Sequence, residues 1–235
     1  MASKATSAVQ SMFAEVPATY ELVNHVLTLG LDILWRRRAA RIAAEAGGGQ
    51  WADMCTGTGE TAVYLSRLAP EGTKIYAVDF SDAMMEKARK KPQAAGINFV
   101  TADIRSLPFD DASFDLITMS FATRNINLSR DILVRSFAEY YRVLKRGGRF
   151  VNLETSRPPS APIRKCFDLY VKLFVERLGR RLSGARTAYA YLAATIPRFY
   201  GAEELAVIMR EAGFEEVTFQ RLLFGAAAIH QAMKL

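Results

Sequence analysis

The sequence predicts an α/β fold built on a mostly parallel sheet of seven strands, with helices on both faces. Short apolar segments alternate with helical segments between residues 50 and 155, and two β-rich segments joined near Gly225 end the chain. Alternation is typical of a parallel sheet covered by helices, whereas adjacent strands at the end predict an antiparallel hairpin. Half of the 235 residues are hydrophobic, which suits one domain with a sizeable core.

The predicted elements follow a regular order along the chain. The segment from about residue 9 to residue 45 is helical with a break near Gly30, and glycines 47–49 end it. Pro92 stops the helix after the second strand, and Gly147 and Gly148 close the helix before the fifth. The predicted strands are residues 51–55, 74–78, 97–101, 114–120, 149–153, 217–223 and 226–233, and the helices between them are 58–68, 83–91, 130–144 and 203–212.

Residues 156–200 interrupt the alternation. Pro158, Pro159 and Pro162 open this segment, and a long helix is predicted from Ala161. We interpret the segment as an insertion over the carboxyl edge of the sheet, where open α/β folds bind ligands. The chain is therefore predicted to be a single domain with N-terminal helices at 1–46, a cofactor-binding core at 47–155, a helical substrate lid at 156–200, and a C-terminal helix and hairpin at 201–235.

A glycine-rich motif lies where the first strand turns into the first helix of the alternating region. It reads DMCTGTGE over residues 53–60. Glycines allow a tight turn and a close approach of the backbone to a ligand, and a helix N-terminus supplies free N–H donors. Residues 57–62 also fit the G-x-G-x-x-G/A pattern of dinucleotide-binding folds. The motif suits either NAD or S-adenosylmethionine, and its candidate cofactor contacts are Thr56, Gly57, Thr58 and Gly59.

Three acidic residues stand at or near the ends of successive strands. Asp79 ends the second strand, where a carboxylate can accept both hydroxyls of a ribose. Asp103 follows the third strand and can accept from an adenine amino group, while Ile104 packs on the ring. Asp53, inside the first strand, can orient the glycine loop and form an ion pair with a ligand's ammonium group. Further candidate cofactor contacts are Phe80 and Ser120.

Several longer motifs carry a more specific signal than the glycine loop. Residues 120–125 read SFATRN and residues 153–158 read LETSRP. These segments resemble signatures of the ubiquinone/menaquinone C-methyltransferase family, the methylases of polyprenyl quinone biosynthesis, and the resemblance covers nearly all of the chain. The other matching segments are residues 13–24 (FAEVPATYELVN) with Gly30 and Trp35-Arg36, residues 53–60, 103–109 and 141–148 (YRVLKRGG), Tyr191-Leu192-Ala193, and residues 225–230.

The resemblance implies a Rossmann-like class I methyltransferase fold, S-adenosylmethionine as cofactor, and methylation of a ring carbon in a hydroquinone with a long isoprenoid tail. It points to Arg124 as a cation beside a developing phenolate and to Asn125 as a group that orients the same oxygen. His230 is the candidate base, and Tyr20 is expected to fold over the cofactor. A purely structural role also suits Arg124, His230 and Tyr20, and His25 is interpreted as ordinary helix surface.

The sequence departs from the family pattern at a few positions. Ala122 stands where glycine is usual and Arg146 where proline is usual, while Glu21 and Glu60 replace common aspartates but keep their charge. Pro197 falls where the family usually has a helical residue. Ala122 and Pro197 belong to the predicted substrate side, so the identity of the quinone stays open while the cofactor prediction is unaffected.

The net charge of +7 is concentrated in residues 157–186. An apolar stripe at helical spacing begins in the same segment, which is typical of a buried helix and equally of a helix that lies on a membrane. Lys and Arg beside such a helix attract anionic lipid. We therefore expect peripheral membrane contact through this helix and through Trp35 to Arg38. The stripe is Ile163, Phe167, Tyr170, Phe174 and Leu178, and the cations that follow it are Arg180, Arg181 and Arg186.

Other function classes find less support in the sequence. Two cysteines give neither a disulfide framework nor metal-ligand spacing, so no metal is expected. No apolar stretch approaches the roughly 18 residues of a membrane span. The pI of about 9.5 comes without a recognised nucleic-acid motif. We expect a cytoplasmic enzyme, peripheral at the inner face of the membrane, with homodimerisation left open; the alternatives are a methyltransferase for another lipid or small aromatic acceptor, an NAD-dependent oxidoreductase and a catalytically silent scaffold.

Overall fold

The computed structural model describes residues 20–175 and 186–235. Seven strands in this part of the chain form one sheet with the order β3-β2-β1-β4-β5-β7-β6. The strands are β1 (Gln50–Met54), β2 (Lys74–Asp79), β3 (Ile97–Thr101), β4 (Phe114–Ser120), β5 (Leu144–Thr155), β6 (Glu215–Leu222) and β7 (Ala227–Met233). The helices are α1 (Tyr20–Leu27), α2 (Leu31–Ala44), α3 (Glu60–Leu68), α4 (Asp82–Arg89), α5 (Thr123–Ile126), α6 (Arg130–Val143), α7 (Ala161–Tyr170), α8 (Arg186–Thr195) and α9 (Ala202–Glu211).

The predicted topology is confirmed. Strands β1 to β5 pair in parallel, and β7 runs antiparallel between β5 and β6. The strand order reverses between β1 and β4, because β2 and β3 lie on one side and the remaining strands on the other. In open α/β sheets, ligands bind in the crevice outside the carboxyl ends of the strands at such a reversal.

Both faces of the sheet are packed with helices. On one face Trp51 and Leu116 pack with Ala40 of α2 and Leu65 of α3. On the opposite face, Met54, Ile117 and Phe150 pack with residues of α6 and α9 such as Phe137 and Met209. Successive strand residues point to opposite faces, so strands buried on both sides read as the apolar runs seen in the sequence.

Most observed elements begin and end within two residues of the prediction, with one longer strand and one additional helix. The strand predicted at residues 149–153 extends from Leu144 to Thr155, because it pairs with β4 from Leu144 onward and with β7 as far as Thr155. The short helix α5 was not predicted. It occupies only Thr123–Ile126, too few residues for a periodic pattern to reveal it.

The insertion is less regular than the predicted long helix. The α-helical part ends at Tyr170, and a π-helical turn, Val171–Val175, follows. Val171 and Val175 are buried against Val23 and Leu27 of α1, so this turn packs the lid against the first N-terminal helix. Outside the described residues lie the N-terminal part of the predicted first helix and, in the insertion, Leu178, Arg180 and Arg181. No helix that the structure describes is both long and apolar enough to cross a membrane.

Candidate active site

The loop after β1 adopts the conformation that its glycines predict. Cys55, Gly57 and Gly59 all have positive φ angles, of 52°, 56° and 79°. A Cβ atom on Gly59 would lie 2.9 Å from the Cβ of Ala88 in α4, whereas one on Gly57 would meet nothing within 4 Å. Gly59 is therefore required for helix packing, and Gly57 leaves the backbone open toward the crevice.

Asp79 at the end of β2 lies directly beside this loop. Its Oδ2 accepts a hydrogen bond from the amide of Gly57 at 2.8 Å, and its Oδ1 accepts one from the amide of Ser81 at 2.9 Å. Each carboxylate oxygen has a second lone pair, so both can still accept from a ribose diol. Burial raises the pKa of Asp79, although these amide hydrogen bonds act to lower it.

Asp53 lies beneath the loop rather than at the surface of the crevice. Its carboxylate accepts hydrogen bonds from Thr56 and Thr118, both at 2.7 Å, and it is fully buried. Burial raises its pKa to about 6 in spite of these hydrogen bonds. Asp53 does not line the cavity that this loop borders, so the loop-orienting role fits the structure and direct contact with a ligand's ammonium group does not.

Asp103 lies on the predicted adenine side and already has a partner. The guanidinium of Arg105 donates to both of its carboxylate oxygens, and this hydrogen bonding lowers the pKa of Asp103. Both residues line the crevice together with buried Ile104. Asp103 keeps acceptor capacity for an adenine amino group because each oxygen carries more than one lone pair.

These elements enclose one cavity along the carboxyl edge of the sheet. Its walls include most of the predicted cofactor contacts, so the residues that the sequence separates by up to 64 positions share one site. Gly59 and Asp53 support this cavity from behind without lining it. The open backbone at Gly57 and the free acceptors of Asp79 fit a nucleoside ligand. The predicted residues in its lining are Thr56, Gly57, Thr58, Asp79, Phe80, Asp103, Ile104, Ser120 and Asn125.

A second, larger cavity of about 460 Å³ adjoins the first. The two cavities share Arg36, Phe121 and Asn125 as lining residues. Phe121 has a positive φ of 58°, which is a strained conformation for a bulky residue and is typical of functional sites. Most of the second cavity is apolar. Its lid side is formed by Ile163, Phe167, Tyr170, Val171, Val175, Leu192 and Ile196.

Arg124 and Asn125 lie at the polar end of the second cavity. A guanidinium nitrogen of Arg124 donates to Thr195 at 2.9 Å, while its Nε is buried without a hydrogen-bond partner. The Oδ1 of Asn125 is likewise buried and unpartnered. Buried polar atoms are normally hydrogen-bonded, so orphaned atoms in a cavity wall indicate a missing ligand. A purely structural role would require the Arg124 side chain to brace its loop by pairing with a carboxylate. Its described side-chain partner is instead Thr195, and only its backbone amide donates to a carboxylate, that of Glu154.

The prediction that His230 acts as the base does not fit the structure. His230 lines neither cavity and is only 1% exposed. Its Nε2 is 2.9 Å from the carbonyl oxygen of Ala202, its ring packs on Phe219, and burial lowers its pKa to about 4. The residue is therefore a packed strand histidine. For Tyr20, only the backbone at the start of α1 belongs to the described structure, so its predicted contact stays a prediction.

Sequence reasoning missed four residues of the N-terminal helices and their surroundings. Arg36 is not part of an exposed basic cluster: it is 7% exposed, and its guanidinium carbon lies 4.9 Å from the centre of the Phe121 ring. Trp35 is half-buried and also lines the second cavity, while the predicted membrane contact of Trp35 to Arg38 stays a prediction. His25 is not plain helix surface, because its Nδ1 is 2.8 Å from buried Asp32. The sequence signal that could have revealed these residues is the four-residue spacing of Asp32 and Arg36, which places both on one face of a helix.

The sheet order, with a glycine loop and the carboxylate of Asp79 at the reversal point, is that of the class I methyltransferases that use S-adenosylmethionine. Solved structures share the fold. A SAM-dependent methyltransferase of Thermotoga maritima, titled a possible histamine N-methyltransferase, superposes with a TM-score of 0.60 at 23% identity, covering 97% of this chain and 100% of the other. A SAM-dependent methyltransferase of Aquifex aeolicus gives 0.58 at 18% identity, covering 84% and 89%.

The chain belongs to the ubiE/COQ5 methyltransferase family, whose sequence profile matches residues 1–234. Two relatives illustrate the similarity. The ubiquinone/menaquinone biosynthesis C-methyltransferase UbiE of Desulfotalea psychrophila is 36% identical over 226 residues, which are 96% of this chain and 90% of the relative. The demethylmenaquinone methyltransferase of Thermus thermophilus is 38% identical over 221 residues, which are 93% and 98%. The family resemblance of the sequence is confirmed.

Proposed function

We propose that this methyltransferase transfers the methyl group of S-adenosylmethionine to a ring carbon of a hydroquinone that carries a long isoprenoid tail. The observation that carries the proposal is the apolar cavity of about 460 Å³ that shares Arg36, Phe121 and Asn125 with the cofactor cavity. Its volume lies in the usual range for small-molecule sites. The names of the relatives, which act on quinone precursors, support the same class of acceptor.

The polar end of the apolar cavity suits the ring oxygens of the acceptor. When bound, S-adenosylmethionine supplies a methyl group on a positively charged sulfur. A phenol carbon is a poor nucleophile, whereas the carbon of a phenolate is a good one, so the site must stabilise charge on the ring oxygen. Arg124 carries a permanent charge and an unpartnered Nε, and Asn125 can hold the same oxygen or its water.

The lid side of the cavity suits the tail of the acceptor. Ile163, Phe167 and Tyr170 belong to the stripe that the sequence pattern singled out, and all three line the cavity. Apolar walls exclude water from the ring, which strengthens the electrostatic effect of Arg124. The tail would leave through the mouth of the cavity, near Leu29 and Phe224.

We further propose that this mouth docks on the cytoplasmic face of a membrane. Leu29, Leu223 and Phe224 line the cavity and are 86%, 51% and 74% exposed. All three have positive φ angles, so the chain holds bulky apolar side chains outward at a cost in backbone strain. Exposed apolar residues on the rim of an apolar cavity support contact with lipid, from which a long-tailed acceptor can enter directly.

Vesicle co-sedimentation tests the membrane contact. The double variant Leu29→Ser/Phe224→Ser should lose most of the binding of the parent chain to vesicles that contain anionic lipid. A matched control is Leu22→Ser/Leu34→Ser, because these residues are 61% and 58% exposed but do not line the cavity. Equal binding by the two double variants would contradict docking through the cavity mouth.

A panel of acceptors tests the reaction. The purified protein is incubated with methyl-labelled S-adenosylmethionine and, separately, with reduced quinone precursors, their oxidised forms and a phospholipid amine. The proposal predicts label only in the reduced quinones, because only these can form a phenolate. Label in the phospholipid amine with none in the hydroquinones would favour a methyltransferase for another lipid.

A further inference from the structure

Three ionisable side chains that have no role so far meet beside the turn between α1 and α2: His25 of α1, Asp32 of α2 and Glu60 of α3. Gly30, with a φ of 77°, reverses the chain so that the first turn of α2 lies beside the end of α1. The Nδ1 of His25 is 2.8 Å from Oδ2 of Asp32, and the Nε2 of His25 is 3.5 Å from Oε1 of Glu60. His25 thus lies between two carboxylates.

Asp32 is the member of this group that lines the apolar cavity. It is 2% exposed, and the polar end of the cavity also includes Arg36, Arg124 and Asn125. Its Oδ1 accepts a hydrogen bond from Thr28 at 2.6 Å. Each of its oxygens therefore has one partner and retains a second lone pair. A buried, hydrogen-bonded carboxylate in the wall of a ligand cavity is a candidate functional group.

The lining of the same cavity contains polar atoms that lack a hydrogen-bond partner. Arg124 Nε and Asn125 Oδ1 are both buried without hydrogen bonds, and both residues line the cavity with Asp32. These atoms are independent of the His25–Asp32 pair and indicate a polar ligand group in this cavity. A phenol O–H needs an acceptor there, and Asp32 is the carboxylate that the lining offers.

We propose that Asp32 is the general base for the phenol of the acceptor and that His25 is its positioning residue, an inference that rests on the proposed function. As the ring carbon bonds to the methyl carbon, the methyl–sulfur bond breaks and its electron pair stays on sulfur, which leaves as S-adenosylhomocysteine. The phenol O–H bond breaks in the same step: its proton passes to Asp32, and its electron pair forms a carbon–oxygen double bond on the ring. The proton on the methylated ring carbon then leaves to solvent and restores the aromatic ring. Asp32 returns its proton to the ring oxygen, so one proton is released for each methyl group transferred.

The charged surroundings of His25 fit this role. A neutral imidazole can donate to only one of Asp32 and Glu60, whereas the cation donates to both. Glu21 on α1 is the further acid that interacts with His25. Arg36 lies 3.5 Å from Glu60 and already supplies a cation to the group, which favours proton transfer over metal binding at these residues.

Kinetics of Asp32→Asn test the proposal, with Asp131→Asn as the matched control. Asp131 is also the second residue of its helix, α6, but it is exposed and lines neither cavity. For a hydroquinone with a short isoprenoid tail, Asp32→Asn should lower kcat by about 10²-fold or more, with KM and the Kd of S-adenosylhomocysteine changed only a few-fold. A kcat within about threefold of the parent enzyme would overturn the proposal.

A binding measurement without turnover tests the contact itself. In the presence of S-adenosylhomocysteine, the parent enzyme should bind a short-tailed phenol about ten times more tightly than its O-methyl ether, which cannot donate to Asp32. Asp32→Leu, which keeps the size of the side chain but has no acceptor, should lose this preference, and a preference that persists would contradict the contact. Failure of the proposed function and failure of the Asp32 proposal can be told apart. A parent enzyme that methylates no hydroquinone overturns the proposed function, whereas an active parent enzyme with an equally active Asp32→Asn variant overturns only the role of Asp32.

His25→Ala keeps the proposal testable even where Asp32→Asn fails to fold. The side chain of His25 is 26% exposed, so its removal leaves a space that solvent can reach. This variant should lose about tenfold or more in kcat, and added imidazole should restore part of the loss. An unchanged kcat, or a loss that imidazole does not restore, would contradict the positioning role.

Discussion

The carboxylate of Asp79 accepts a hydrogen bond from the backbone amide of Gly57, at 2.8 Å, across the gap between β2 and the glycine loop. This bond joins the acid that suits the ribose to the loop that approaches the cofactor. Asp79→Asn replaces one accepting oxygen by an amide group, which faces either Gly57 or Ser81 as a second donor. We expect S-adenosylhomocysteine to bind less tightly by about 1–3 kcal/mol, measured by calorimetry.

The control for this prediction is Asp82→Asn. Asp82 is an exposed acid in the first turn of α4, and it accepts a hydrogen bond from Thr101 rather than from the loop. It should leave the affinity unchanged. Equal affinity of Asp79→Asn and the parent chain would remove the ribose assignment.

A close contact makes Gly59 a stability determinant. Gly59→Ala introduces a Cβ at a φ of 79° and 2.9 Å from the Cβ of Ala88. Gly96→Ala serves as the matched control, because Gly96 has a φ of 86° but nothing within 4 Å of a Cβ. Both variants should lose about 1–2 kcal/mol to backbone strain. Gly59→Ala should lose about 1–3 kcal/mol more in urea unfolding, and equal losses would rule out the predicted overlap.

Arg124 should affect turnover rather than cofactor affinity. Arg124→Lys keeps the charge but loses the planar set of donors that holds Thr195 and faces the cavity. We expect kcat to fall roughly 10²-fold while the Kd of S-adenosylhomocysteine hardly changes. Arg130→Lys, an exposed ion pair with Glu211, should have little effect on either quantity. A collapse of cofactor binding in Arg124→Lys with intact turnover would indicate a structural role instead.

Two buried groups should oppose each other in the pH dependence of stability. Burial raises the pKa of Asp53 to about 6, so the folded chain holds this proton more tightly and the stabilisation it gives is lost as the pH rises from about 4 to about 6. Burial lowers the pKa of His230 to about 4, so its contribution is present above about pH 6.5 and is lost as the pH falls toward 4.

Variants separate the two effects in urea unfolding at pH 4 and pH 6.5. The ionisation of Asp53 lowers the free energy of unfolding of the parent chain as the pH rises, and Asp53→Asn lacks this loss. The free energy of unfolding of Asp53→Asn relative to that of the parent chain should therefore rise by up to about 3 kcal/mol from pH 4 to pH 6.5. The free energy of unfolding of His230→Gln relative to that of the parent chain should fall by a similar amount over the same pH range. Differences that stay constant with pH would contradict the shifted pKa values.

The sequence predicted the parts of the site that depend on local spacing. The loop at Gly57 and the acid at Asp79 follow directly from two neighbouring strands of a parallel sheet, and the strand order then brings them together. His25, Asp32 and Arg36 could not be predicted in this way, because their place at the cavity depends on how α1 and α2 pack over the crevice. The prediction for His230 was wrong because the sequence does not show which face of the sheet a strand residue lies on. That face depends on strand pairing, and His230 pairs with Asn152 and Phe219 inside the sheet.

The position of the transferred methyl group tests the central claim most directly. The enzyme is incubated with S-adenosylmethionine labelled with ¹³C in its methyl group and with a short-tailed hydroquinone, and the product is examined by NMR. Two adjoining cavities that hold the cofactor and a phenolate predict a single labelled methyl group on an aromatic ring carbon. A labelled methyl ether on the ring oxygen, or no labelled quinone product, would contradict the account.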